Sequence, residues 1–600
     1  MLRRPQRVFV TVFTGLFAIG LAAPPATAVA PPAPPKTPEA VGTGGAVASV
    51  DPYATEIGLQ VLRRGGNAVD AAVATAAALG VTEPYSAGIG GGGFFVFYDA
   101  RAGRVRTIDG RETAPARMHE KTFVENGLPI PFADAVTSGL SVGVPGTPAT
   151  WQLALDRWGT IDLRDALEPA ARLAEQGFIV DETFHQQTDA NAARFADFTS
   201  TRALFLPGGV PPEVGSVLRN PDLARTYDLL GRRGLDFLYK GRLAEEIVAT
   251  VTDPPVTPGS TRVVRPGLMR LRDLARYDAL LRQPTRVRYH GLDVFGMAPP
   301  SSGGSTIGEA LNILENFDLG TPNRAAALHS YLEASALAFA DRNRYVGDPA
   351  YADVPLRQLL SQAFANERAC RITAATAAVK PVPPGSPDGD YEPCTPAAVA
   401  AGMGALQGGS TTHLTTWDRW GNVVSYTLTI EQTGGSGIVV PGRGFLLNNE
   451  LTDFNFTPTQ GEGVPDPNLP APGKRPRSSM SPTIVLDDGE PVLALGSPGG
   501  SMIITTVLQT LLNRLDFGMT LLDAVAVPRA SQRNTAAVSA EPPFIAAWGP
   551  SMVPFGHMFL SVPEIGAVTA IEIRDDGRLV AVAEPVRRGG GDAGVVRPRP

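Results

Sequence analysis

Apolar and polar residues follow a helical period through much of the first two thirds of the chain and a strand-like period in the last third. Apolar positions at helical spacing predict helices over residues 54–64, 67–79, 306–317 and 325–343, and over most of 150–240. Apolar runs and alternating patterns predict strands over 94–98, 411–447, 483–495 and 567–582, with an apolar helix at 502–515 among them. The pattern therefore indicates a protein that contains both helices and sheet.

The first thirty residues have the features of a secretory signal peptide. Three arginines within the first seven residues precede an apolar run over 8–21, and Ala28 and Ala30 stand at the expected cleavage positions. The run is too short for an ordinary membrane span, although an uncleaved N-terminal anchor is the alternative. We therefore expect a secreted protein, extracellular or periplasmic, with no stable membrane span.

Composition restricts the possible functions. The 600 residues are 43% apolar and 18% charged, the net charge is −7, and no basic stripe stands out, so nucleic acid is not an expected partner. Six scattered histidines and two cysteines, with neither HExxH nor CxxC, predict no metal and no cofactor. In an exported chain, Cys370 and Cys394 predict one disulfide, with two free thiols as the alternative.

Three segments are predicted to be irregular. The proline-rich residues 31–45 are typical of a linker, so we expect the fold to begin near Ala46. Residues 376–394 are rich in proline and glycine, which predicts a flexible segment. Residues 587–600 are predicted to be a disordered terminus.

Two formal motif matches are interpreted as structural loops. Gly88, Gly90 and Gly93 fit GxGxxG, but a helix precedes them and a strand follows, which is the reverse of a dinucleotide site. Ser141 stands in a GxSxG pattern, but no convincing strand comes before it and prolines delay the next helix. Neither motif predicts chemistry.

The stretch 411–431 is the most informative part of the sequence. Two alternating β-branched runs flank a three-residue turn in which Gly421 supplies the left-handed position, which is typical of a β-hairpin. Counting back from the turn places Thr411 opposite Thr429, with Glu431 two residues further along on the same face. Local pairing therefore predicts two hydroxyls and a carboxylate side by side, although a bulge would shift this register by one.

With these surroundings the chain resembles the γ-glutamyltransferase family of N-terminal-nucleophile hydrolases. The matching segments run in order from about residue 45 to about residue 585, and the ordered set is more specific than any one of them. They are RGGNAVDA (64–71), DGRETAP (109–115), PPSSGG (299–304), GGSTTH (408–413), DRWGNVV (418–424), LNNELTDF (447–454), KRP (474–476), SSMSP (478–482) and GSPGGS (496–501).

The resemblance implies a fold and a maturation step. The expected fold is α+β, a four-layer αββα sandwich with two central, mainly antiparallel sheets. The expected maturation is self-cleavage of the Ser410–Thr411 bond, giving a large subunit over 46–410 and a small catalytic subunit over 411–600 from one precursor. Cleavage is chemically required because a threonine hydroxyl needs a nearby base, and the α-amine released on Thr411, with a reference pKa near 8, is such a base.

The resemblance also implies a role for each site residue. Thr411 is the nucleophile, Thr429 assists it by hydrogen bonding, and Gly499 and Gly500, just before an apolar helix, hold the oxyanion. For the head group of the donor, the α-carboxylate is assigned to Arg111, Ser478 and Ser479, and the α-ammonium to Glu431, Glu450 and Asp453.

The expected reaction is attack of Thr411 on a γ-glutamyl amide such as glutathione, followed by transfer of the γ-glutamyl group to water or an amino-acid acceptor. Two alternatives remain: an acylase on this scaffold, acting on glutaryl-cephalosporins or poly-γ-glutamate, and a non-catalytic secreted binding protein. Arg477 stands where the family commonly has an apolar residue, which predicts an altered pocket rim. Whether the loop 455–473 closes as a lid stays open.

Overall fold

The structure, a computed structural model, describes Gln6 and residues 33–320, 322–391 and 410–598. Its strands, in chain order, are β1 Glu39–Ser49, β2 Gly92–Asp99, β3 Arg104–Gly110, β4 Val124–Glu125, β5 Leu128–Pro129, β6 Phe178–Ile179, β7 Val217–Leu218, β8 Leu280–Arg282, β9 Thr285–Tyr289, β10 Leu292–Gly296, β11 Thr411–Asp418, β12 Val423–Thr429, β13 Thr483–Asp487, β14 Glu490–Gly496, β15 Ala530–Ser531, β16 Val538–Ala540, β17 Phe559–Ser561, β18 Thr569–Ile573, β19 Leu579–Ala583 and β20 Asp592–Pro598.

The helices are distributed over the whole described chain. They are α1 Pro52–Arg63, α2 Ala68–Thr82, α3 Phe132–Val136, α4 Thr147–Trp158, α5 Leu163–Gln176, α6 Glu182–Ala196, α7 Thr199–Phe205, α8 Pro221–Arg233, α9 Leu235–Tyr239, α10 Arg242–Thr252, α11 Leu271–Ala275, α12 Gly303–Leu314, α13 Arg324–Tyr345, α14 Leu356–Leu359, α15 Gln362–Ala369, α16 Ile503–Leu515, α17 Leu521–Ala526 and α18 Pro542–Met552. Helices α1, α2, α12, α13 and α16 confirm the predicted ones to within about three residues at each end. Asn67 caps α2 through a reciprocal capping box with Asp70.

One large sheet organises the molecule. Its strands pair in the order β8-β3-β2-β12-β11-β1-β19-β18-β14-β13-β10-β9, with β20 added to β1, and the strand pairs are antiparallel. Strands from before and after residue 410 alternate along this path, because β12 and β11 lie between β2 and β1, and β19 to β13 lie between β1 and β10. Neither part of the chain could therefore form this sheet without the other.

The hairpin prediction is confirmed in its register. Thr411 pairs with Thr429 across β11 and β12, and the pairing continues without a bulge to Trp417 and Val423. Gly421 has a φ of 85°, the left-handed conformation that the three-residue turn requires. The site residues at the open end of the hairpin are thus placed by backbone pairing alone.

Both faces of the central strands are buried. On β2, Phe95 and Phe97 enter one apolar core with α2 and α4, whereas Phe94 and Val96 enter a second core with α12, α13 and α16. Side chains that alternate between two cores explain why the sequence of β2 is a continuous apolar run. The molecule is a mixed α/β protein around a large antiparallel sheet.

Four details differ from the sequence-based expectations. The fold begins at β1, at Glu39, and not near Ala46. Residues 592–598 are not disordered but form β20, because this segment pairs with β1 and buries Ala593 and Val595. The strands of the large sheet are joined by pairing into one path, whereas two central sheets were expected, because β1 pairs with both β11 and β19.

The fourth difference concerns the predicted strands up to residue 447. Regular strand ends at Thr429, and most of 430–449 is irregular, with positive φ at five glycines, Gly434, Gly435, Gly437, Gly442 and Gly444. Residues 376–391 are largely irregular, as expected, but they are anchored: the Asn534 side chain bonds to both the N–H and the C=O of Val382.

Several predictions fall on residues that are not described. The predicted signal peptide, Gln6 apart, and Cys394 lie outside the described residues. Cys370 is disulfide-bonded, and Cys394 is the one other cysteine in the sequence. Among the described residues, no helix is both long and apolar enough to cross a membrane.

Replacing Val595 by Asp tests the packing of β20. Val595 is 3% exposed, so an unpaired charge there should lower the free energy of unfolding by about 3 kcal/mol or more. Val263→Asp is the matched control, since Val263 is 69% exposed and should tolerate the same change. Denaturant unfolding of both variants checks this; equal stability of the two would mean that β20 is not packed as described.

Candidate active site

A cavity of about 490 Å³ opens at the end of the β11–β12 hairpin. Nine of the ten predicted catalytic and substrate-binding residues line it: Thr411, Thr429, Arg111, Glu431, Glu450, Asp453, Ser478, Ser479 and Gly500. Gly499, the tenth, precedes Gly500 but does not line the cavity. Residues separated by hundreds of positions in the sequence therefore share one pocket.

The pairing of β11 with β12 brings three oxygen atoms together. The Oγ1 atoms of Thr411 and Thr429 are 3.2 Å apart, and Thr429 Oγ1 donates to the carbonyl oxygen of Ser410 at 2.8 Å. Because Thr429 has a single hydroxyl proton, the Thr411 hydroxyl must be the donor in the contact between the two. The Thr411 oxygen is thereby polarised toward a nucleophile, beside a carbonyl that already accepts a hydrogen bond.

Ser410 is held from three sides by residues remote in sequence. Its N–H donates to the carbonyl oxygen of Glu431 at 2.6 Å, and its Oγ lies 2.8 Å from Ser86 Oγ. The Arg588 guanidinium donates to the Thr411 carbonyl at 2.7 Å and to Ser410 Oγ at 2.9 Å. Ser86 and Arg588 were not predicted from the sequence, because no local pattern marks them and only their contacts with Ser410 in the structure reveal them.

The formal GxGxxG run has a structural explanation in this region. A Cβ atom on Gly91 would overlap the carbonyl oxygen of Thr429, and one on Gly90 would overlap that of Leu446. Glycine is needed because the backbone passes directly against the end of β12. Ser141 is buried and donates to the carbonyls of Val136 and Ser138, so its GxSxG pattern is also structural.

Arg111 is the centre of a buried charge cluster. Its guanidinium pairs with Glu450 and with Asp453, lies 4.0 Å from Glu112, and also donates to the carbonyls of Pro476 and Arg477. Glu431 reaches the same pocket through a left-handed backbone conformation with a φ of 79°, and not as a continuation of the strand. Arg111, which is assigned to the carboxylate of a donor, is thus in direct contact with Glu450 and Asp453, which are assigned to its ammonium.

The remaining predicted residues are Ser478, Ser479 and the glycine pair. Ser478 Oγ accepts from the N–H of Met480 at 3.2 Å, and Ser479 Oγ accepts from Arg342 at 2.9 Å. Gly500 starts a short 3₁₀ turn that leads into α16 and has a φ of 56°. Backbone N–H groups at the start of a helix suit a negative oxygen.

Comparison with known proteins identifies the family. The model of the gamma-glutamyltranspeptidase family matches residues 54–594. The chain belongs to the γ-glutamyltranspeptidase family. It is 40% identical over 554 residues to a glutathione hydrolase proenzyme of Bacillus subtilis (strain 168), which covers 92% of this chain and 91% of that protein.

Acylases are also among the relatives of this transpeptidase-family chain. It is 35% identical over 553 residues to the acylase ACY 1 proenzyme of Pseudomonas sp. (strain SE83), covering 91% of this chain and 92% of that one. A solved structure, cephalosporin acylase from Bacillus halodurans, superposes with a TM-score of 0.80 at 29% identity, covering 94% of this chain and 98% of the other.

Charge is out of balance in the pocket of this family member. Burial raises the pKa of Glu450 to about 7, with Arg111 opposing and Asp453 reinforcing the shift. Burial also raises the pKa of Glu112 and of Glu431 well above the usual range, reinforced by neighbouring carboxylates. Glu112, Glu450 and Asp453 lie beside the one guanidinium of Arg111, and Glu431 adds a fourth carboxyl group close to two of them, so a ligand with a positive charge would let more of these groups ionise.

The loop 455–473 folds over one side of the pocket. Asp466 accepts hydrogen bonds from Asn455, Thr459 and Asn468, which lowers the pKa of Asp466 despite its burial. Gln460 donates to the carbonyl of Asn343 at the end of α13 and lines the cavity. The loop is therefore structured by its own contacts.

One group of described residues has side chains of the kind that bind metal ions. His329, Glu333 and His557 place ligand atoms within 4.8 Å of one another. His329 Nδ1 and His557 Nε2 form a hydrogen bond of 2.8 Å, and Lys380 pairs with Glu333. The Lys380 ammonium already neutralises the Glu333 carboxylate. These contacts therefore favour a hydrogen-bonded network, outside the pocket, over a metal site.

Proposed function

We propose that this chain is an autoprocessed γ-glutamyltransferase, a glutathione hydrolase that cleaves its own backbone and then γ-glutamyl amides. The observation that carries the proposal is the hydrogen-bonded chain from Thr411 Oγ1 through Thr429 Oγ1 to the Ser410 carbonyl, inside a pocket with paired charges. The names of its relatives, glutathione hydrolase proenzymes among them, support the same reaction.

Self-cleavage begins at the Ser410–Thr411 amide. Thr411 Oγ attacks the carbonyl carbon of Ser410 while Thr429 hydrogen-bonds the carbonyl oxygen, and the hydroxyl proton passes to the departing nitrogen. The amide becomes an ester, which water hydrolyses to a Ser410 carboxylate and a free Thr411 amine. Hydrogen bonds to Ser410 and to the Thr411 carbonyl hold this segment in place for the attack.

The free amine then serves as the base for turnover. It takes the Thr411 hydroxyl proton as Oγ attacks the γ-carbonyl of the donor, and backbone N–H groups at Gly499 and Gly500 stabilise the oxyanion. Collapse releases the amine leaving group with that proton and leaves a γ-glutamyl ester on Thr411. Water or an amino-acid acceptor next attacks the ester and regenerates the enzyme.

The acidic groups favour a donor that has an α-ammonium. Glu431, Glu450 and Asp453 supply negative charge in excess of Arg111, which suits the ammonium of a glutamyl head and not a glutaryl chain, which has the carboxylate but lacks the ammonium. A glutaryl-cephalosporin acylase is the second candidate because relatives bear acylase names. Poly-γ-glutamate has the glutamyl head and belongs with the first candidate as a donor.

The large and small subunits are proposed to remain associated after cleavage. Strands from both sides of residue 410 alternate in the sheet, so separation would break several strand pairings at once. Ser425 Oγ on β12 donates to the carbonyl of Leu495 on β14 and accepts from the N–H of Thr483 on β13. Strand β12 is therefore in contact with two strands that are distant from it in the strand order. Such contacts support a four-layer αββα arrangement in which the one connected sheet folds back so that its two halves form the two β layers, and export by the N-terminal signal peptide completes the proposal.

Self-cleavage is tested by replacing Thr411 and Thr429. The wild-type protein should give co-purifying fragments of about 40 and 20 kDa, whereas Thr411→Ala should stay whole and Thr429→Val should cleave about 100-fold more slowly. Thr412→Val is the matched control, since the Thr412 hydroxyl has no hydrogen-bond partner in the described structure. Cleavage of Thr411→Ala on a denaturing gel would disprove the mechanism.

Donor chemistry is tested with two chromogenic amides. L-γ-Glutamyl-4-nitroanilide should be hydrolysed with a kcat/KM about 100-fold above that of glutaryl-4-nitroanilide, because the α-ammonium completes the buried charge cluster. The two compounds differ only in the α-amino group. A preference for the glutaryl compound would establish the acylase alternative instead.

The pH dependence of binding tests the role of Glu450. Its pKa of about 7 in the empty pocket means that below pH 7 the group must lose a proton before it can face an ammonium. The advantage of L-glutamate over glutarate as an inhibitor should therefore increase as pH rises through 7 and level off above it. Both inhibitors share any effect of the Thr411 amine, so the ratio of their inhibition constants reports the carboxyl groups of the pocket, and the increase near pH 7 should disappear in Glu450→Gln if Glu450 causes it.

A further inference from the structure

Seven arginines are buried in the described structure, and two of them differ from the rest. Five have a carboxylate within 4.0 Å: Arg111, Arg368, Arg475, Arg529 and Arg587. Arg342 and Arg533 have no such partner among the described residues, and both line the cavity that contains Thr411. Burying a cation is costly unless it is paired, so the exceptions require a reason.

Of the two, Arg533 has fewer hydrogen-bond partners. Its side chain donates to Ser501 Oγ at 2.5 Å and to Ser539 Oγ at 3.1 Å, while its Nε has no hydrogen-bond partner in the described structure. The residue is 5% exposed, and burial lowers the pKa of Arg533 to about 10 with no carboxylate to offset the effect. The guanidinium remains charged at neutral pH, next to the pocket, without a counter-ion.

Arg342 and Arg477 extend the positive charge along the same wall. Arg342 donates to the hydroxyls of Ser302 and Ser479 and to Asn343, all of which are uncharged. Arg477 lies 3.2 Å from the carbonyl of Val346, just past the end of α13. Burial lowers the pKa of Arg342, the charges of Arg477 and Arg533 add to this shift and Asp453 opposes it, so the three guanidinium groups act on one another.

Arg533 lies next to the place where the scissile amide of a donor is proposed to bind. Arg533 bonds to Ser501, the residue that follows Gly500 at the proposed oxyanion site, whereas the groups for the glutamyl head surround Arg111. A linear donor that enters with its head at Arg111 and its carbonyl at Gly500 carries its leaving group onward past Ser501. The unpaired guanidinium therefore faces the leaving-group side.

We propose that Arg533, supported by Arg342 and Arg477, binds a carboxylate on the leaving group of the donor, and on an acceptor that takes the same place. This proposal rests on the proposed function and narrows its substrates to γ-glutamyl amides with an anionic leaving part, such as a γ-glutamyl peptide with a free carboxylate. Guanidinium–carboxylate pairs are directional and charge-assisted, and such a pair would use the free Nε.

Two anilides that differ by one carboxylate test the leaving-group side. In the wild-type enzyme, L-γ-glutamyl-3-carboxy-4-nitroanilide should have a kcat/KM about tenfold above that of L-γ-glutamyl-4-nitroanilide. The ratio should fall to about 1 in Arg533→Gln and recover in part in Arg533→Lys. Arg286→Gln, at an exposed site on β9, removes the same charge elsewhere and should keep the wild-type ratio.

The acceptor side is tested by comparing glycylglycine with glycylglycinamide in the transfer reaction. A preference for the free carboxylate that is lost in Arg533→Gln assigns the subsite to acceptors as well, whereas a preference in the anilide pair alone restricts it to donors. A wild-type ratio near 1 for both pairs, or an unchanged ratio in Arg533→Gln, overturns the proposal.

Failure of the proposed function would look different. Neither anilide would then be hydrolysed, whatever residue stands at 533. The wild-type ratio is informative even if Arg533→Gln does not fold, because a ratio of about 1 in the intact enzyme rejects the subsite without any variant. Self-cleavage of the Arg533 variants, followed on a gel, reports that their fold is retained.

Discussion

The register of one antiparallel strand pair determines the geometry of the proposed reactive centre. Thr411 is opposite Thr429, and this pairing places both hydroxyls and the Ser410 carbonyl within hydrogen-bonding distance. A slip of one residue would turn every side chain of β11 to the other face and separate the two hydroxyls. The register is protected on both sides, because β11 also pairs with β1 and β12 also pairs with β2.

Strand order explains how the backbone could be cut at the proposed Ser410–Thr411 site without loss of the fold. The Ser410–Thr411 bond precedes a strand that is already hydrogen-bonded on both edges. Cutting there removes one covalent link but no ladder hydrogen bond, and the contacts of Arg588 with the Thr411 carbonyl come from the far end of the chain. The new amine would thus form on a strand that cannot move away.

Local features could be predicted from the sequence, and long-range ones could not. The hairpin register followed from β-branched alternation and Gly421, and α2 followed from its Asn67 cap, since both depend on neighbours within a few residues. The resemblance placed Arg111 in the pocket, but its pairing with Glu450 depends on packing between segments that are 339 residues apart. Strand β20 was missed because it follows the glycine run 589–591 and has only three apolar residues, so its own pattern does not indicate a strand, whereas its pairing with β1 does.

Buried charge gives the pocket one end with an excess of carboxyl groups and another with an excess of guanidinium groups. Around Arg111, carboxyl groups outnumber the cation, and burial keeps part of them protonated until a positive ligand arrives. Near Ser501 the imbalance is reversed, with guanidinium groups that meet hydroxyls and carbonyls but no carboxylate in the described structure. Because a protein gains nothing in stability from leaving buried charges unpaired, the imbalance is best explained by the ligand. A donor with an ammonium at one end and a carboxylate beyond its scissile amide would supply the missing counter-charge at both ends of the pocket.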